Sequence, residues 1–405
     1  MIELQRIVIV GSGLGGATAA ATLRENGFGG QVLLIGQEKH QPYELPALSK
    51  GVLLGSAERP DLVRTPDFYR DKHVDLLPST EVSQIRPRER VVVAGGVPHR
   101  YDRLLLATGS RPRTPPVPVH GVSGVHVLRT VEDALAIRDG LVAGARVVIV
   151  GAGWIGCEVA AAARAHDAEV IVVDSQPLPL LRALGPTVAA VFRDLHAAHG
   201  VNWRLGAEVA GLVGDRDGVR AVRLADGTEL AADLVVLGVG AAPRVELARA
   251  AGLELAAGGV AVDAMLRTSA PDVFAVGDIA AHQHPRYGQW VRVEHWANAK
   301  DQGALVAANL VGGCATYASS PYFFSDQYDL GLEYRGLADL ERDQLVVRGD
   351  LAAREFIAFW LRGGRVRAAM NVNMWDDGDA LSALVDRQAV VDLGQLVSAE
   401  LNALD

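Results

Sequence analysis

The pattern of apolar and polar positions repeats one four-part design twice along the chain. The first copy begins with the apolar run RIVIV (6–10), continues through the turn GSGLGG and the alanine-rich run ATAAATLRENG, and ends with QVLLIG. The second copy begins with RVVIV (146–150) and continues through GAGWIG, CEVAAAARAHD and EVIVVD. Short continuous apolar runs predict buried strands, and the alanine-rich runs between them predict helices. Each copy therefore predicts a strand–turn–helix–strand unit.

The turn in each copy has the glycine spacing of a phosphate-binding loop. In the first turn, Gly11 permits the tight bend, Gly13 lets the backbone approach a pyrophosphate and Gly16 lets the helix pack on the strand. Unpaired N–H groups at the start of the following helix favour an anion. A flexible loop is the alternative, and the flanking strands and helix favour dinucleotide binding. The residues assigned to the two sites are Gly11, Gly13, Leu14, Gly15 and Gly16 in the first turn, and Gly151, Gly153, Trp154, Ile155 and Gly156 in the second.

The end of the second strand in each copy bears on which nucleotide binds there. Asp174 ends this strand in the second copy, where a carboxylate accepts a hydrogen bond from a ribose 2′-hydroxyl and repels a 2′-phosphate. The segment SQP that follows carries no arginine, so we predict NAD rather than NADP; the alternative is an aspartate that only ends a strand. In the first copy Gln37 and Glu38 follow the strand, and the sequence leaves open which of them holds the ribose.

Three further apolar runs end in small residues. YDRLLLATGSRPR (101–113) contains Ala107, Thr108 and Gly109, and DLVVLGVGAAPR (233–244) contains Gly240. TSAPDVFAVGDIA (268–280) ends a strand in Gly277 and Asp278, where a carboxylate can hold a sugar hydroxyl. Taken singly, each is consistent with a strand that ends in a turn. In this order the set favours a protein with two dinucleotide cofactors.

With four further motifs, the chain resembles the FAD-dependent pyridine-nucleotide oxidoreductases. The motifs are PYELPALSK (42–50), RTPDFY (64–69), EHWANAKDQG (294–303) and FFSDQYDL (323–330), and they make the chain similar to the NADH-dependent ferredoxin reductases of the putidaredoxin-reductase and biphenyl-dioxygenase-reductase type. The resemblance covers nearly the whole chain. It departs from the family where PALSK stands in place of the usual PPLSK.

The resemblance implies an α/β fold with two Rossmann-like dinucleotide-binding domains, one for FAD and one for NAD, and an α+β C-terminal domain. It places a discontinuous FAD-binding domain at 1–112 and 244–320, the NAD-binding domain at 113–243 and the C-terminal domain at 321–405. The proline-rich stretch RPRTPPVPVHG (111–121) supports a connector at the first boundary, since a run of prolines continues neither a strand nor a helix.

The resemblance also implies noncovalent FAD, NADH as the electron donor, and roles for individual residues. Lys50 is expected beside the N5/O4 edge of the flavin, paired with Glu158, although a surface lysine and a first-turn acid are the ordinary interpretations. Pro46 is expected to pack on the ring. Asp278 is expected to hold the ribityl chain. The segment Glu294, His295 and Trp296 is expected near the ring, although a tryptophan is often simply buried.

The number and positions of the cysteines and histidines narrow the class of oxidoreductase. The chain has two cysteines, Cys157 and Cys314, and the segment 37–61 contains none, whereas disulfide reductases of this fold carry a thiol pair there. We therefore expect the electron acceptor to react with the flavin without a thiol relay. His282 and His284 are interpreted as loop histidines rather than metal ligands, so no metal is predicted.

The predicted function is hydride transfer from NADH to FAD N5, then single-electron transfer to a [2Fe-2S] ferredoxin that serves an oxygenase of the P450 or Rieske type. Alternatives are an NADH:rubredoxin reductase, an NADH oxidase, and a flavin-based redox sensor related to apoptosis-inducing factor. A net charge of −9 argues against nucleic-acid binding, and the apolar runs are too short for a membrane span. We expect a cytoplasmic monomer or homodimer. Arg64 and Arg292 are candidates for docking an acidic ferredoxin, and the alternative is that each is a solvated or salt-bridged surface arginine.

Overall fold

The computed structural model describes residues 4–115, 122–215 and 217–403, and these divide into two compact units. The first unit comprises Met1–Leu45, Asp61–Arg111 and Ala242–Ser319, and the second comprises Pro46–Pro60, Pro112–Ala241 and Ser320–Asp405. The segment that carries Lys50 thus belongs to the second unit. The division into three domains stays a prediction, and residues 116–121 of the expected connector lie outside the described residues.

The first unit is built on a parallel five-stranded sheet. Its strands, in spatial order, are Val273–Ala275, Arg103–Leu106, Arg6–Val10, Gln31–Ile35 and Val74–Leu77. A three-stranded antiparallel sheet consists of Val82–Arg86, Val91–Ala94 and Val97–Arg100, and a four-stranded sheet of Leu255–Ala256, Gly259–Val262, Ala280–His284 and Gln289–Val291. The α-helices are Leu14–Glu25, Phe68–Asp71, Glu246–Ala250 and Trp296–Leu310, and 3-10 turns lie at Pro87–Glu89 and Gly277–Ile279.

The second unit contains a parallel sheet of the same kind. Its strands, in spatial order, are Val201–Leu205, Glu169–Asp174, Arg146–Val150, Leu234–Leu237 and Val125–His126. An antiparallel sheet of Val209–Asp215, Gly218–Leu224 and Glu229–Ala231 follows in the chain. The helices are Val131–Gly140, Trp154–Ala165 and Leu181–Ala198, with one π-helical turn at Leu48–Val52. Two short strands, Ser110–Pro112 and Ala241–Pro243, span the points where the chain passes between units.

The C-terminal part of the second unit is an antiparallel sheet with helices. Its strands, in spatial order, are Tyr322–Gln327, Leu330–Gly336, Arg365–Val372, Glu355–Arg362 and Gln344–Asp350, and the helices are Gly378–Asp386, Leu393–Ser398 and the 3-10 turn Leu401–Ala403. Alternate side chains of EFIAFWLR (355–362) point to opposite faces. Phe356 and Trp360 share one apolar cluster with Phe192 of the helix Leu181–Ala198, while Ile357 and Phe359 share another with the helix Gly378–Asp386. Burial on both faces explains why the six inner residues of this strand, FIAFWL, are all apolar.

The predicted fold class is confirmed. Each glycine turn connects a strand of a parallel sheet to the helix that follows it. The central strands of both sheets are buried on both faces, as the continuous apolar runs predict. The C-terminal antiparallel sheet with its helices is the predicted α+β part. Within the described ranges, every helix is too short or too polar to cross a membrane.

Candidate functional site

The first glycine turn has the shape of an anion cradle. Gly11 has a φ of 110°, and a Cβ there would collide with the carbonyl of Ala107, so only glycine fits. A Cβ at Gly16 would collide with the carbonyl of Gly11. A Cβ at Gly13, in contrast, would have no heavy atom of the described residues within 4 Å. Gly13 is the N-cap of the helix that starts at Leu14. The backbone N–H groups of the first helical turn are therefore available to an anion in this space, and the turn fits a pyrophosphate.

The second turn repeats this geometry. Gly151 has a φ of 106°, and a Cβ there would collide with the carbonyl of Gly238. A Cβ at Gly156 would collide with the carbonyl of Gly151, and one at Gly153 would have no described heavy atom within 4 Å. The helix Trp154–Ala165 starts at this opening. The second turn thus fits a second dinucleotide.

Asp174 is held at the edge of the second turn. Its carboxylate accepts hydrogen bonds from the backbone N–H of Ala152 (2.6 Å) and of Gln176 (2.7 Å). It is half-buried, and each carboxylate oxygen keeps a further lone pair. Asp174 therefore shapes the turn and retains the capacity to accept from a ribose hydroxyl.

The corresponding place in the first unit differs. Gln37 accepts from Arg244 through Oε1 at 3.1 Å, and Glu38 accepts from the hydroxyl of Tyr43 at 2.7 Å. Both side chains are exposed at the end of the strand Gln31–Ile35. The choice between Gln37 and Glu38 as the ribose ligand stays open. Arg244 as a partner of Gln37 was not predicted from the sequence.

Two of the three predicted strand ends lie together in the first unit, whereas the third, with Gly240, follows the strand Leu234–Leu237 of the second unit. Asp278 stands in the turn after the strand Val273–Ala275 and accepts from the hydroxyl of Ser110 at 2.5 Å. Thr108 donates to the carbonyl of Arg244 at 2.8 Å. The backbone N–H of Gly277 donates to Gln302 at 2.8 Å. These bonds fix the carboxyl ends of two neighbouring strands, which is the edge where ligands bind in parallel sheets.

The segment that contains Glu294, His295 and Trp296 lies at the start of the helix Trp296–Leu310. His295 caps this helix by accepting from the N–H of Ala297 at 3.2 Å, and Glu294 pairs with Arg292. Trp296 donates its indole N–H to Glu44, and the ammonium of Lys300 lies 4.6 Å from its ring centroid. These contacts order the segment, and its contact with a flavin stays a prediction.

Lys50 and Glu158 form an ion pair within the second unit. Lys50 Nζ lies 2.6 Å from Glu158 Oε1, and the two side chains are 21% and 5% exposed. The same carboxylate accepts from Ser49 (2.5 Å) and Ser325 (2.7 Å). Burial of a carboxylate is costly unless its oxygens are paired, and here three donors converge on it. Neither serine was predicted, although Ser49 adjoins Lys50 in one quoted motif and Ser325 lies in another.

The backbone at Lys50 is unusual. Lys50 lies in the π-helical turn Leu48–Val52 with φ −112° and ψ −105°, outside the helical region. Short π-helical turns and unusual dihedral angles occur most often at functional sites. Beside the pair, the pKa of Asp326 is raised by its burial; Lys50 lowers this pKa and Glu158 raises it further.

The prediction that His282 and His284 lie in a loop is wrong. Both belong to the strand Ala280–His284, are buried, and have ring centroids 4.9 Å apart. The run AAHQH forms a strand that pairs in parallel with the strand Gly259–Val262. A group of three metal-ligating side chains does not occur within the described residues.

The two arginines proposed to dock ferredoxin differ in how accessible their side chains are. Arg292 is mostly buried and contacts the carbonyls of Ala257 and Asp278 in addition to Glu294. Arg64 is 30% exposed and 3.6 Å from Glu25. Arg64 is therefore the better placed of the two, and docking itself stays a prediction.

Comparison with known proteins identifies relatives over the whole chain. The profile of the family described as "Pyridine nucleotide-disulphide oxidoreductase" matches residues 5–303, and that of "Reductase C-terminal" matches 322–404. The chain is 42% identical to putidaredoxin reductase CamA of Pseudomonas putida over 374 residues, covering 91% of this chain and 88% of the relative. It is 40% identical to the ferredoxin–NAD(+) reductase component of the anthranilate 1,2-dioxygenase system of Burkholderia cepacia, covering 96% of each. The structure of a covalent putidaredoxin reductase–putidaredoxin complex matches with a TM-score of 0.95 and 38% identity, covering 99% of this chain and 98% of that chain.

Proposed function

Because the chain belongs to the pyridine nucleotide-disulphide oxidoreductase family, we propose that it is an NADH-dependent ferredoxin reductase. The proposed reaction moves a hydride from NADH to N5 of noncovalent FAD and passes the electrons one at a time to a [2Fe-2S] ferredoxin that serves a P450 or Rieske oxygenase. The relative named as the ferredoxin–NAD(+) reductase component of a dioxygenase system, and the relative named as a putidaredoxin reductase, support this assignment. FAD supplies the switch between two-electron and one-electron chemistry.

The observation that carries the proposal is the presence of two open glycine cradles on one chain without a reactive thiol at the expected site. Gly13 and Gly153 each leave room for a pyrophosphate at a helix start. Cys157, in contrast, is fully buried, and burial raises its pKa far above the ordinary value, so it is an inert thiol. Electrons therefore pass to the acceptor without a disulfide relay.

The side chains have separate proposed tasks. The first turn binds the FAD pyrophosphate, and the second binds that of NADH. Asp174 accepts from the NADH ribose and disfavours NADPH. Asp278 holds the ribityl chain, and Lys50 provides the positive charge beside the flavin, oriented by Glu158. Cytoplasmic location and a monomeric or homodimeric state stay predictions.

Stopped-flow reduction with three acceptors tests the proposal. The FAD-loaded protein should be reduced rapidly by NADH and reoxidised rapidly by a [2Fe-2S] ferredoxin, but slowly by rubredoxin and by oxygen. Fast reoxidation by oxygen alone would favour an NADH oxidase, and fast reoxidation by rubredoxin a rubredoxin reductase. Slow reduction with a long-lived reduced complex would favour the redox sensor.

Ferredoxin docking has its own measurement. If arginines steer an acidic ferredoxin, the ferredoxin-dependent rate should fall steeply with salt while reduction of a small dye barely changes. Arg64→Glu should raise KM for ferredoxin and leave dye reduction intact. A ferredoxin rate insensitive to salt would show that these charges do not steer docking.

A further inference from the structure

A line of buried polar side chains leads away from Glu158 inside the second unit. Ser325 Oγ lies 2.7 Å from Glu158 Oε1, and Gln327 Nε2 lies 3.1 Å from Ser325 Oγ. Gln327 Oε1 lies 2.8 Å from His196 Nε2, and the hydroxyl of Tyr328 lies 3.4 Å from His196 Nδ1. Ser325, Gln327 and His196 are at most 1% exposed. None of these three side chains has a role in the proposed binding of FAD or NADH.

The carboxylate at the end of this line fixes the direction of each hydrogen bond. An ionised carboxylate only accepts, so Ser325 donates its single hydrogen to Glu158 and must accept from Gln327. The amide oxygen of Gln327 then faces His196, so Nε2 of the ring must carry the hydrogen. Burial lowers the pKa of His196 to about 4, which leaves the ring neutral near pH 7. Its Nδ1 is then an acceptor for the hydroxyl of Tyr328.

We propose that Ser325, Gln327 and His196 are positioning residues that keep Glu158 ionised and in contact with Lys50 through a hydrogen-bond chain of one direction. This inference rests on the role of Lys50 and Glu158 in the proposed function. Ser325 and Gln327 lie two residues apart on the strand Tyr322–Gln327 and therefore point to the same face, while His196 comes from the helix Leu181–Ala198.

The charge on Glu158 depends on its hydrogen bonds and on its burial. Hydrogen bonds to a carboxylate favour its ionised form, and burial favours the protonated form. The charged neighbours are Lys50, which stabilises the carboxylate, and Asp326, whose negative charge opposes it; Cys157 is protonated. With the hydroxyl of Ser325 removed, Glu158 keeps two of its three side-chain donors, and fewer hydrogen bonds favour the charged form of its carboxyl group. A protonated Glu158 no longer balances the charge on Lys50.

The tautomer of His196 tests the direction of the hydrogen-bond chain independently of catalysis. In ¹⁵N NMR spectra of the FAD-loaded protein between pH 6 and 8, His196 should show a neutral ring with hydrogen on Nε2. A hydrogen on Nδ1, or a charged ring, would reverse the deduced direction and overturn the proposal. This measurement uses the unmodified protein, so it stands even where a variant fails to fold.

A variant series tests the consequence for Glu158. Ser325→Ala and Gln327→Met should retain FAD and shift the pH profile of flavin reduction by NADH upward, because fewer hydrogen bonds then favour the charged form of Glu158. Ser325→Cys should fall between them and the unmodified protein because a thiol is a weaker donor. Ser382→Ala is the matched control, since Ser382 bonds Arg335 in the same unit.

The outcomes of these experiments distinguish a failure of the hydrogen-bond chain from a failure of the proposed function. If Ser325→Ala has the same pH profile as Ser382→Ala, the hydrogen-bond chain does not control the charge on Glu158 and the proposal fails. Infrared difference spectra should show a protonated carboxyl in Ser325→Ala at a pH where the control shows none. An unmodified protein that NADH does not reduce would overturn the proposed function, while the NMR result still decides the direction of the chain.

Discussion

A single methyl group at Gly153 should weaken NADH binding and leave the fold and the FAD site intact. Gly153 is the N-cap of the helix Trp154–Ala165 with φ −81°, a conformation that alanine adopts without strain. Its added Cβ would have no described heavy atom within 4 Å, so the methyl group enters only the space where a pyrophosphate is expected. At Gly151, in contrast, a Cβ meets the carbonyl of Gly238 and φ is positive. Gly151→Ala should therefore damage the turn itself.

The expected sizes of the two effects follow from this geometry. For Gly153→Ala, alanine is a poorer N-cap than glycine, while the lower entropy of the unfolded chain offsets part of that loss, so the free energy of unfolding should change by less than about 1 kcal/mol. The favourable interaction of an anion with a helix start reaches about 2 kcal/mol in partly buried sites. Its loss corresponds to about a 30-fold rise in the dissociation constant for NAD⁺.

Isothermal titration calorimetry with NAD⁺ measures this rise without turnover. Gly211→Ala is the matched control, because Gly211 lies in the strand Val209–Asp215 and a Cβ there also has no described heavy atom within 4 Å. The control should bind NAD⁺ as the unmodified protein does, and both variants should keep about one FAD per chain. An unchanged dissociation constant in Gly153→Ala would show that the pyrophosphate does not sit at this turn.

Four other expectations concern the remaining groups. Asp174→Ala should narrow the preference for NADH over NADPH, which we expect to exceed tenfold, about 1.4 kcal/mol; equal kcat/KM values in the unmodified protein would contradict it. Lys50→Ala should slow flavin reduction or lower the flavin potential with FAD bound, and should cost about 2–3 kcal/mol of stability in urea, because Glu158 loses its counter-charge. An unchanged rate and potential would show that Lys50 does not act on the flavin. Burial lowers the pKa of His196 and of His282 to about 4, below the ordinary 6.5, so the unfolded chain binds more protons than the folded chain between these two pH values. The free energy of unfolding measured in urea should therefore fall by about 2 kcal/mol for each histidine as the pH drops from 7 to 4.5. An unchanged free energy of unfolding at pH 4.5 would refute this expectation. A thiol reagent should modify one cysteine in the native protein, the exposed Cys314, and two after unfolding, since Cys157 is buried.

The sequence predicts the local geometry of the turns better than the partners of the side chains. Gly11, Gly16, Gly151 and Gly156 carry their structural role in their spacing, because a strand, a bend and a helix that are consecutive in the chain leave room for only one kind of residue at these positions. The partners of Gln37 and Trp296, by contrast, are Arg244 and Glu44, and spacing in the sequence carries no information about pairs so far apart. His282 and His284 were misassigned because a short run of small and polar residues resembles a loop.

The surroundings of Glu158 show most clearly what the sequence withholds. Position 158 reads as an ordinary acid near a helix start, yet its carboxylate accepts from three side chains that come from the turn Leu48–Val52 and the strand Tyr322–Gln327. Ser325 and Gln327 lie two residues apart on the strand Tyr322–Gln327, and both are buried, so their polar groups require partners. Such a pattern predicts that partners exist, but only the fold identifies them. The ammonium of Lys50 shares this carboxylate with the hydroxyl of Ser325, so the contact between Lys50 and Glu158 depends on a residue far away in the sequence.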